Sequence, residues 1–463
     1  MTDAATLVLP EAIAQAMRAA LDDKRESAAV LLAGSATTPD GQPRLLGREL
    51  YAVPDDAYER REPSELIVTS AGFMPALARA QEIGASPIWF HTHPGPDATP
   101  EPSARDERVD QQLAEPFRIR SSNGTYASVI FSGTPGQVQL TGKIISKQRA
   151  QPLTRLWEVG ERLRLTHAGG RAEPAAEHRL LDRNIRAFGG EVQGTLSSLS
   201  VGLVGAGGTG SAVAEQLTRL GVRTLTVLDP DALSESNLTR VYGSTPKDIG
   251  AKKARVLESH LRAIAPQAHV TTIPHSVTEL DAARALIGCD VIFGCTDDNA
   301  GRLVLSRIAS YLLTPVIDCG VLLSSGPDGT LEGIDARVTV LSPGAACLVC
   351  RDRIDLARAQ AEQLPSGERS RLQREGYAVA LPSVEPAVVA YTTAVAAAAV
   401  GELIERLVGY GPTPVPGEIL LRLHDREISV NRAEPRAGHY CDPTSGKLGL
   451  GELTPFLEQT WAV

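Results

Sequence analysis

The stretch Ser200-Val-Gly-Leu-Val-Gly205-Ala-Gly207-Gly208-Thr-Gly210 reads as a buried strand running into a glycine-rich turn. Helical spacing over 211–220, stopped by Gly221, follows it. Glycines let a backbone approach phosphate oxygens, and the helix N-terminus favours their negative charge. The next strand, 224–228, ends in Asp229, about twenty residues past the glycines, where ribose recognition needs an acid. Continued strand–helix alternation implies an α/β fold with a mostly parallel, Rossmann-like, doubly wound sheet. On these residues alone, NAD and ATP both fit.

Residues further along favour ATP. Asp229-Pro-Asp231 is followed by Ser236-Asn237-Leu238-Thr-Arg240, then by Asp248-Ile-Gly250-Ala-Lys252-Lys253-Ala254 and Cys295-Thr-Asp297-Asp298-Asn299. Upstream lies Asp182-Arg183-Asn-Ile-Arg186-Ala-Phe-Gly189. Hydride transfer does not need several cations and an extra acid around the phosphates. Nucleotidyl transfer does: Arg and Lys neutralise the triphosphate, and Asp297 can hold Mg²⁺. Any one of these cations alone reads as a solvated surface charge; the ordered set does not.

Together these motifs resemble the ubiquitin-activating superfamily of ThiF/MoeB/HesA-like adenylyltransferases, over about residues 181–407. The resemblance implies that Gly205, Gly207, Gly208 and Gly210 cradle ATP and that Asp229 binds its ribose. It also implies that Asn237, Arg240 and Lys253 contact phosphates and that Asp297 coordinates Mg²⁺. Arg183 then reaches the γ-phosphate of ATP bound by a partner subunit, so a homodimer is expected. The implied reaction is attack of a ubiquitin-like C-terminal carboxylate on the α-phosphate, giving an acyl-adenylate and pyrophosphate.

A second constellation lies near the N-terminus. His91-Thr-His93-Pro94 ends an apolar strand, and Ser103-Ala-Arg-Asp106 follows. Residues two apart in a strand share a face, so both imidazoles can meet one ion, with Asp106 as a third ligand. Two His, one carboxylate and an open position describe catalytic zinc, which lowers the pKa of water to about 7. A carboxylate must then take and return the proton, and Glu26 stands just before the strand 28–33. Ser103 can donate to a tetrahedral oxyanion. The plain alternative is a chance HxH beside a Ser103/Asp106 capping box. The set as a whole resembles the JAMM (Mov34/MPN) metalloprotease family over about residues 6–146. That resemblance implies zinc on His91, His93 and Asp106, with Glu26 as acid/base and Ser103 as oxyanion helper, acting after the terminal glycines of ubiquitin-like proteins. The segment between His93 and Ser103 is about two residues longer than the family pattern and holds Asp97 and Glu101; Glu49 is a second carboxylate in this domain.

Cys347-Leu-Val-Cys350 is half of a zinc site, and His439-Tyr-Cys441 is the nearest substitute for a second CxxC. Cys347, Cys350, His439 and Cys441 then make a closed Cys₃His set, with an unmetallated CxxC as the alternative. Cys289, Cys295 and Cys319 read as small core residues. Between Cys350 and Cys441, where thioester-forming relatives carry their nucleophile, there is no Cys. Ser383 stands there instead, read as a helix cap, with an oxyester acceptor as the alternative.

The expected organisation is a JAMM-type α/β metalloprotease domain over 1–146, a helical linker over 147–180, an adenylyltransferase domain over 181–434 and a C-terminal tail over 435–463. In the first domain, helical spacing covers 10–21, the strand 28–33 is closed by Gly34, another strand covers 87–91, and 126–131 with 138–145 form a hairpin. The apolar run 388–400 is too short to span a bilayer and reads as a buried helix. Lys plus Arg number 46 and Asp plus Glu 55, for a net charge of −9 across 463 residues, which argues against a broad nucleic-acid surface. Hydrophobic residues at 43% and charged residues at 22% exclude a mainly disordered chain. Six cysteines and an N-terminus without a signal-peptide pattern point to the cytoplasm and away from a membrane.

The combined expectation is a two-activity enzyme of a bacterial-type conjugation pathway. Its zinc peptidase trims or deconjugates a ubiquitin-like protein, and its ATP site, with Mg²⁺, activates the exposed glycine; a conjugating-enzyme-like protein is an expected partner. The alternative within enzymes is activation of a sulfur-carrier protein for thiocarboxylate formation. From a different class comes a scaffold that binds ubiquitin-like proteins with silent sites.

Overall fold

The computed structural model describes residues 5–95, 99–146, 149–169, 178–326, 328, 330–364 and 387–461. The chain divides into two compact units, one of Met1–Glu173 with Tyr311–Leu313 and Gly446–Leu453, the other of the remaining segments.

In the first unit the chain order is β1 (Ala5–Pro10), α1 (Glu11–Ala19), β2 (Ala28–Thr37), β3 (Pro43–Ala52), β4 (Tyr58–Glu62), β5 (Glu65–Val68), α2 (Met74–Glu82) and β6 (Ser86–Thr92). There follow α3 (Ala104–Arg120), β7 (Tyr126–Thr134), β8 (Gln137–Ile145), β9 (Ala150–Val159) and β10 (Leu163–His167). The main sheet runs β1-β3-β2-β6-β7-β8-β9-β10, and β1 also pairs in parallel with β9. That last pairing closes the sheet into a barrel-like form, which satisfies strand edges that would otherwise be open. Alternate residues of β2 serve two cores, as the period of two requires. Ala29, Leu31 and Ala33 pack inward with Phe90, Phe131 and Met17 of α1. Val30 and Leu32 pack outward with Trp89 and the helices α2 and α3, through Leu77 and Phe117.

Three expectations are corrected here. The stretch 147–180 is not the expected helical linker: its described part carries β9 and β10 and is helical only from His178. Its polar look misleads because pairing with β1 and β8 buries the strand regardless. Glu158 of β9 is buried and meets Arg18 of α1 at 3.3 Å. Gly34 does not close β2, which continues to Thr37. A Cβ at Gly34 would lie 2.0 Å from the Gly449 carbonyl oxygen, so glycine serves a close backbone approach there. Ser35 bridges Gly451 in the same place. The segment 435–463 is accordingly more than an irregular tail: part of it completes the first unit, and Phe456 and Leu457 are buried in the second.

The second unit contains α4 (His178–Phe188), α5 (Gly190–Ser198), β11 (Ser200–Val204), α6 (Gly208–Arg219), β12 (Thr224–Leu228), α7 (Lys253–Ile264), β13 (His269–Ile273), α8 (Leu280–Arg284) and β14 (Val291–Gly294). Then come α9 (Asn299–Tyr311), β15 (Val316–Ser325), β16 (Leu331–Leu341), α10 (Leu356–Gln363), α11 (Val389–Val408), β17 (Glu418–Arg422) and β18 (Glu427–Asn431). The sheet order is β13-β12-β11-β14-β15-β16-β17-β18, parallel from β13 to β15 and antiparallel beyond. β11 sits between β12 and β14, so the chain reverses its winding there, and the crevice at the carboxyl ends of these strands is where ligands bind in such sheets. Among the described residues no helix is long and apolar enough to cross a membrane. Ser383 lies outside the described residues.

The antiparallel half carries a buried carboxylate. Glu418 is fully covered and accepts from Arg353 at 3.0 and 2.8 Å, Asn431 at 2.7 Å and Thr339 at 2.8 Å. Burial raises its pKa, but these donors prevail and hold it at about 2 against an ordinary 4.5. The stability it contributes is present above pH 4.5 and is lost as pH falls towards 2, on the order of 3 kcal/mol in all. Glu418→Gln is expected to destabilise the protein near neutrality and to flatten its loss of stability between pH 4.5 and 2. Urea midpoints across that window check this; a variant with the wild-type slope would refute it.

Candidate active sites

β11 delivers the chain into Gly205, whose φ is +96°. A side chain there is blocked by the β14 exit, since a Cβ would lie 2.6 Å from the Cys295 carbonyl oxygen. Gly210 is equally constrained, with its Cβ position 1.8 Å from the Gly205 oxygen. Gly207, by contrast, faces open space. α6 starts with no side-chain cap, which leaves its first-turn N–H groups for a ligand. Asp229, buried at the end of β12, ties this turn to the next loop: its two oxygens accept Ala206 N at 2.7 Å and Asp231 N at 2.9 Å. Burial pushes its carboxyl above the ordinary range, although Lys253 and the two N–H groups oppose this.

The other sequence-predicted residues fall at stated places. The Arg240 side chain lies against Gly208, 3.2 Å from where a Cβ would be, and donates to the Ser236 carbonyl at 2.9 Å. Asn237 is buried and its Oδ1 accepts Ser234 N at 3.1 Å, so it also shapes its own turn. Lys253, at the start of α7, pairs with Asp231 at 2.7 Å. Asp297 is exposed just beyond β14, in the loop whose Cys295–Thr296 backbone abuts Gly205. Arg183 is exposed on α4, and among the described residues no hydrogen bond joins it to the glycine turn. Sequence reasoning passed over three neighbours. Asp231 holds Lys253. Asp298 accepts Gly301 N at 2.5 Å at the start of α9. Thr392 of α11 places its hydroxyl over Gly208. The D-D-N run and the P-D pair were the available signals.

In the first unit, β6 presents His91 opposite Ala28 of β2, and Glu26 lies two residues before Ala28. His91 Nε2 and His93 Nε2 are 3.2 Å apart. Asp106, in the first turn of α3, places Oδ1 3.2 Å from His91 Nε2 and Oδ2 3.4 Å from His93 Nε2. Ligands about 2.0–2.1 Å from a tetrahedral zinc lie about 3.3–3.4 Å from one another, so the donor set fits the ion. The capping-box reading holds at the same time: Asp106 N donates to Ser103 Oγ at 3.2 Å and Ser103 N to Asp106 Oδ2 at 2.6 Å. The cap thus fixes the carboxylate that faces the imidazoles. Behind it, Asp110 anchors α3 through Lys143 at 2.6 Å, Ser128 at 3.3 Å and the Tyr126 hydroxyl.

A cavity of about 550 Å³ opens beside this cluster and is lined by Glu26, His91, Ser103 and Asp106. Burial pushes the Glu26 carboxyl up to about 7; His93 and Arg105 oppose this, while Asp106 and Glu65 add to it. Glu49 does not line this cavity; Arg79 holds it at 2.8 and 3.1 Å. Glu101 is exposed, and Asp97 lies outside the described residues.

The third cluster joins distant segments. His439 Nδ1 lies 3.6 Å from Cys347 Sγ, 3.4 Å from Cys350 Sγ and 3.2 Å from Cys441 Sγ; Cys350 and Cys441 are 3.6 Å apart. A tetrahedral Cys₃His zinc site has edges of about 3.5–3.8 Å, so this set also fits. Cys350→Ser is expected to lose one zinc per chain and to lower Tm by about 5 °C or more. Metal analysis beside a thermal melt checks this; unchanged zinc content would count against the site.

The fold and the first of these sites define the second unit as a Rossmann-type nucleotide-binding domain of the adenylating kind. The chain belongs to the ThiF family, whose model matches residues 181–441 and so lies beyond β1–β10. Relatives include the SAMP-activating enzyme E1 of Haloferax volcanii, 28% identical over 38% of this chain and 60% of that protein. The adenylyltransferase and sulfurtransferase uba4 of Aspergillus terreus is 33% identical over 35% of each chain. The chain therefore spans less than two thirds of these relatives' own length. Among solved structures, E. coli MccB with ATP aligns over 56% of this chain and 72% of that chain, at 18% identity and a TM-score of 0.43.

Proposed function

We propose that this chain uses ATP to adenylate the C-terminal glycine carboxylate of a ubiquitin-like or sulfur-carrier protein. The observation that carries this is the uncapped start of α6 beside Gly207 and Asp229. In this reading Asp229 orients the ribose, and the α6 N–H groups, Asn237, Arg240 and Lys253 take up the phosphate charge. Lys253 exchanges Asp231 for a phosphate oxygen. Asp297 would hold Mg²⁺, which supplies further neutralisation of the phosphates when bound. A carboxylate oxygen of the carrier attacks the α-phosphorus, the bond to pyrophosphate breaks, and acyl-adenylate and pyrophosphate result. Arg183 completes the site of a second subunit, so the working form is a homodimer. The relatives' names, a SAMP-activating E1 and an adenylyltransferase with sulfurtransferase, favour sulfur-carrier activation over conjugation through a conjugating-enzyme-like partner. A cytoplasmic setting, without nucleic-acid or membrane partners, goes with this reading. The test is exchange of labelled pyrophosphate into ATP, dependent on a small carrier ending in a free glycine. Absence of exchange with folded, dimeric protein would remove the proposal in favour of a silent scaffold.

A second reading, for the first unit, is zinc-dependent cleavage after the glycines of such a carrier. It rests on the ligand spacing of His91, His93 and Asp106 and on Glu26 in the same cavity. Zinc, when bound, supplies Lewis acidity toward water and the scissile carbonyl. Glu26 takes a proton from the attacking water and returns it to the leaving amine, a role suited to a carboxyl near neutrality. Ser103 donates its hydroxyl proton to the oxyanion, since its oxygen already accepts Asp106 N. Trimming would create the carboxylate that adenylation consumes.

A further inference from the structure

We propose that the cavity beside His91 and Asp106 is a side-chain subsite, which selects tails carrying a large apolar residue close to the cleaved bond. The proposal rests on the peptidase reading above. Leu66 and Val68 of β5, Phe73, Trp89 of β6, and Val109 and Leu113 of α3 form the cavity's walls, and the candidate metal centre with Glu26 lines the same space. A group that fills it therefore lies beside the candidate metal centre. Trp89 and Leu113 are already buried, whereas Leu66, Val68, Phe73 and Val109 are only half-buried. Covering them is the gain that an incoming apolar group brings.

Size and charge narrow the occupant. At about 550 Å³ the space lies within the range of small-molecule pockets, about 300–1,000 Å³, and a tail of glycines alone would leave it to water. The two acids on its lining, Glu26 and Asp106, belong to the centre itself, so no carboxylate is left to receive Lys or Arg. Arg108 and Arg105 stand on the lining, the latter already paired with Glu65. Leucine, isoleucine, methionine or phenylalanine fits these conditions. Burying such a side chain is worth about 10- to 100-fold in kcat/KM over alanine at that position.

The experiment uses the full-length, zinc-loaded protein on a proteome-derived peptide library, with products read by mass spectrometry. Wild type is expected to show strong enrichment of apolar residues at one fixed position. Leu66→Arg is expected to move that enrichment to Asp and Glu, and Val109→Phe to move it to Ala and Val, both with zinc content unchanged. Cleavage without apolar enrichment, or profiles unaltered in both variants, would overturn the subsite and leave the peptidase reading standing. No zinc-dependent cleavage at all would remove the peptidase reading and the subsite with it.

Discussion

Asp297→Ala is expected to lower pyrophosphate exchange by about two to three orders of magnitude while leaving the fold intact. The carboxylate is exposed in the loop after β14, whose backbone lies against Gly205, and so it borders the crevice at the end of β11. Truncating an exposed side chain usually changes stability by no more than about 0.5 kcal/mol, so lost activity reports chemistry rather than unfolding. Its neighbour supplies the control. Asp298 is half-buried and accepts Gly301 N at the start of α9, so Asp298→Ala should cost stability, about 1 kcal/mol, with a smaller effect on exchange. A Mg²⁺ titration separates the two: a higher Mg²⁺ requirement is expected for Asp297→Ala only. Equal effects of both variants, with the same Mg²⁺ dependence, would remove Asp297 from the metal role.

Glu26→Gln is expected to cut cleavage of a carrier extension by about 10²- to 10⁴-fold with zinc content unchanged. Gln keeps the volume and the buried position but cannot carry a proton between water and amine. Burial already pushes the carboxyl up to about 7, so the amide relieves a desolvation cost and Tm should not fall. His93→Ala supplies the contrast: it removes a candidate ligand atom 3.4 Å from Asp106, so activity and metal should disappear together. Retained cleavage in Glu26→Gln would transfer the proton-carrying role elsewhere.

The adenylation half was legible because its signals are local. A strand, four glycines, a helix and an acid at a set distance lie within one short segment, where steric rules and helix polarity act on neighbours in sequence. The proximity of His91 and His93 was legible for the same reason, since a strand's period of two puts both on one face. Asp106 was readable twice over, as candidate ligand and as cap, and the structure places one carboxylate against both the His91 imidazole and the Ser103 N–H.

What the sequence determined by itself, then, was the second unit's fold class and the candidate residues at each site. Only the tertiary structure decided that β9 and β10 are strands, that β1 closes on β9, and that Gly446–Leu453 completes the first unit. It also set Glu26 on the cavity beside His91 and Glu49 against Arg79. The physical reason is common to all of these. Long-range pairing buries polar segments and sets the surroundings of each carboxylate, and neither is encoded in the spacing of adjacent residues.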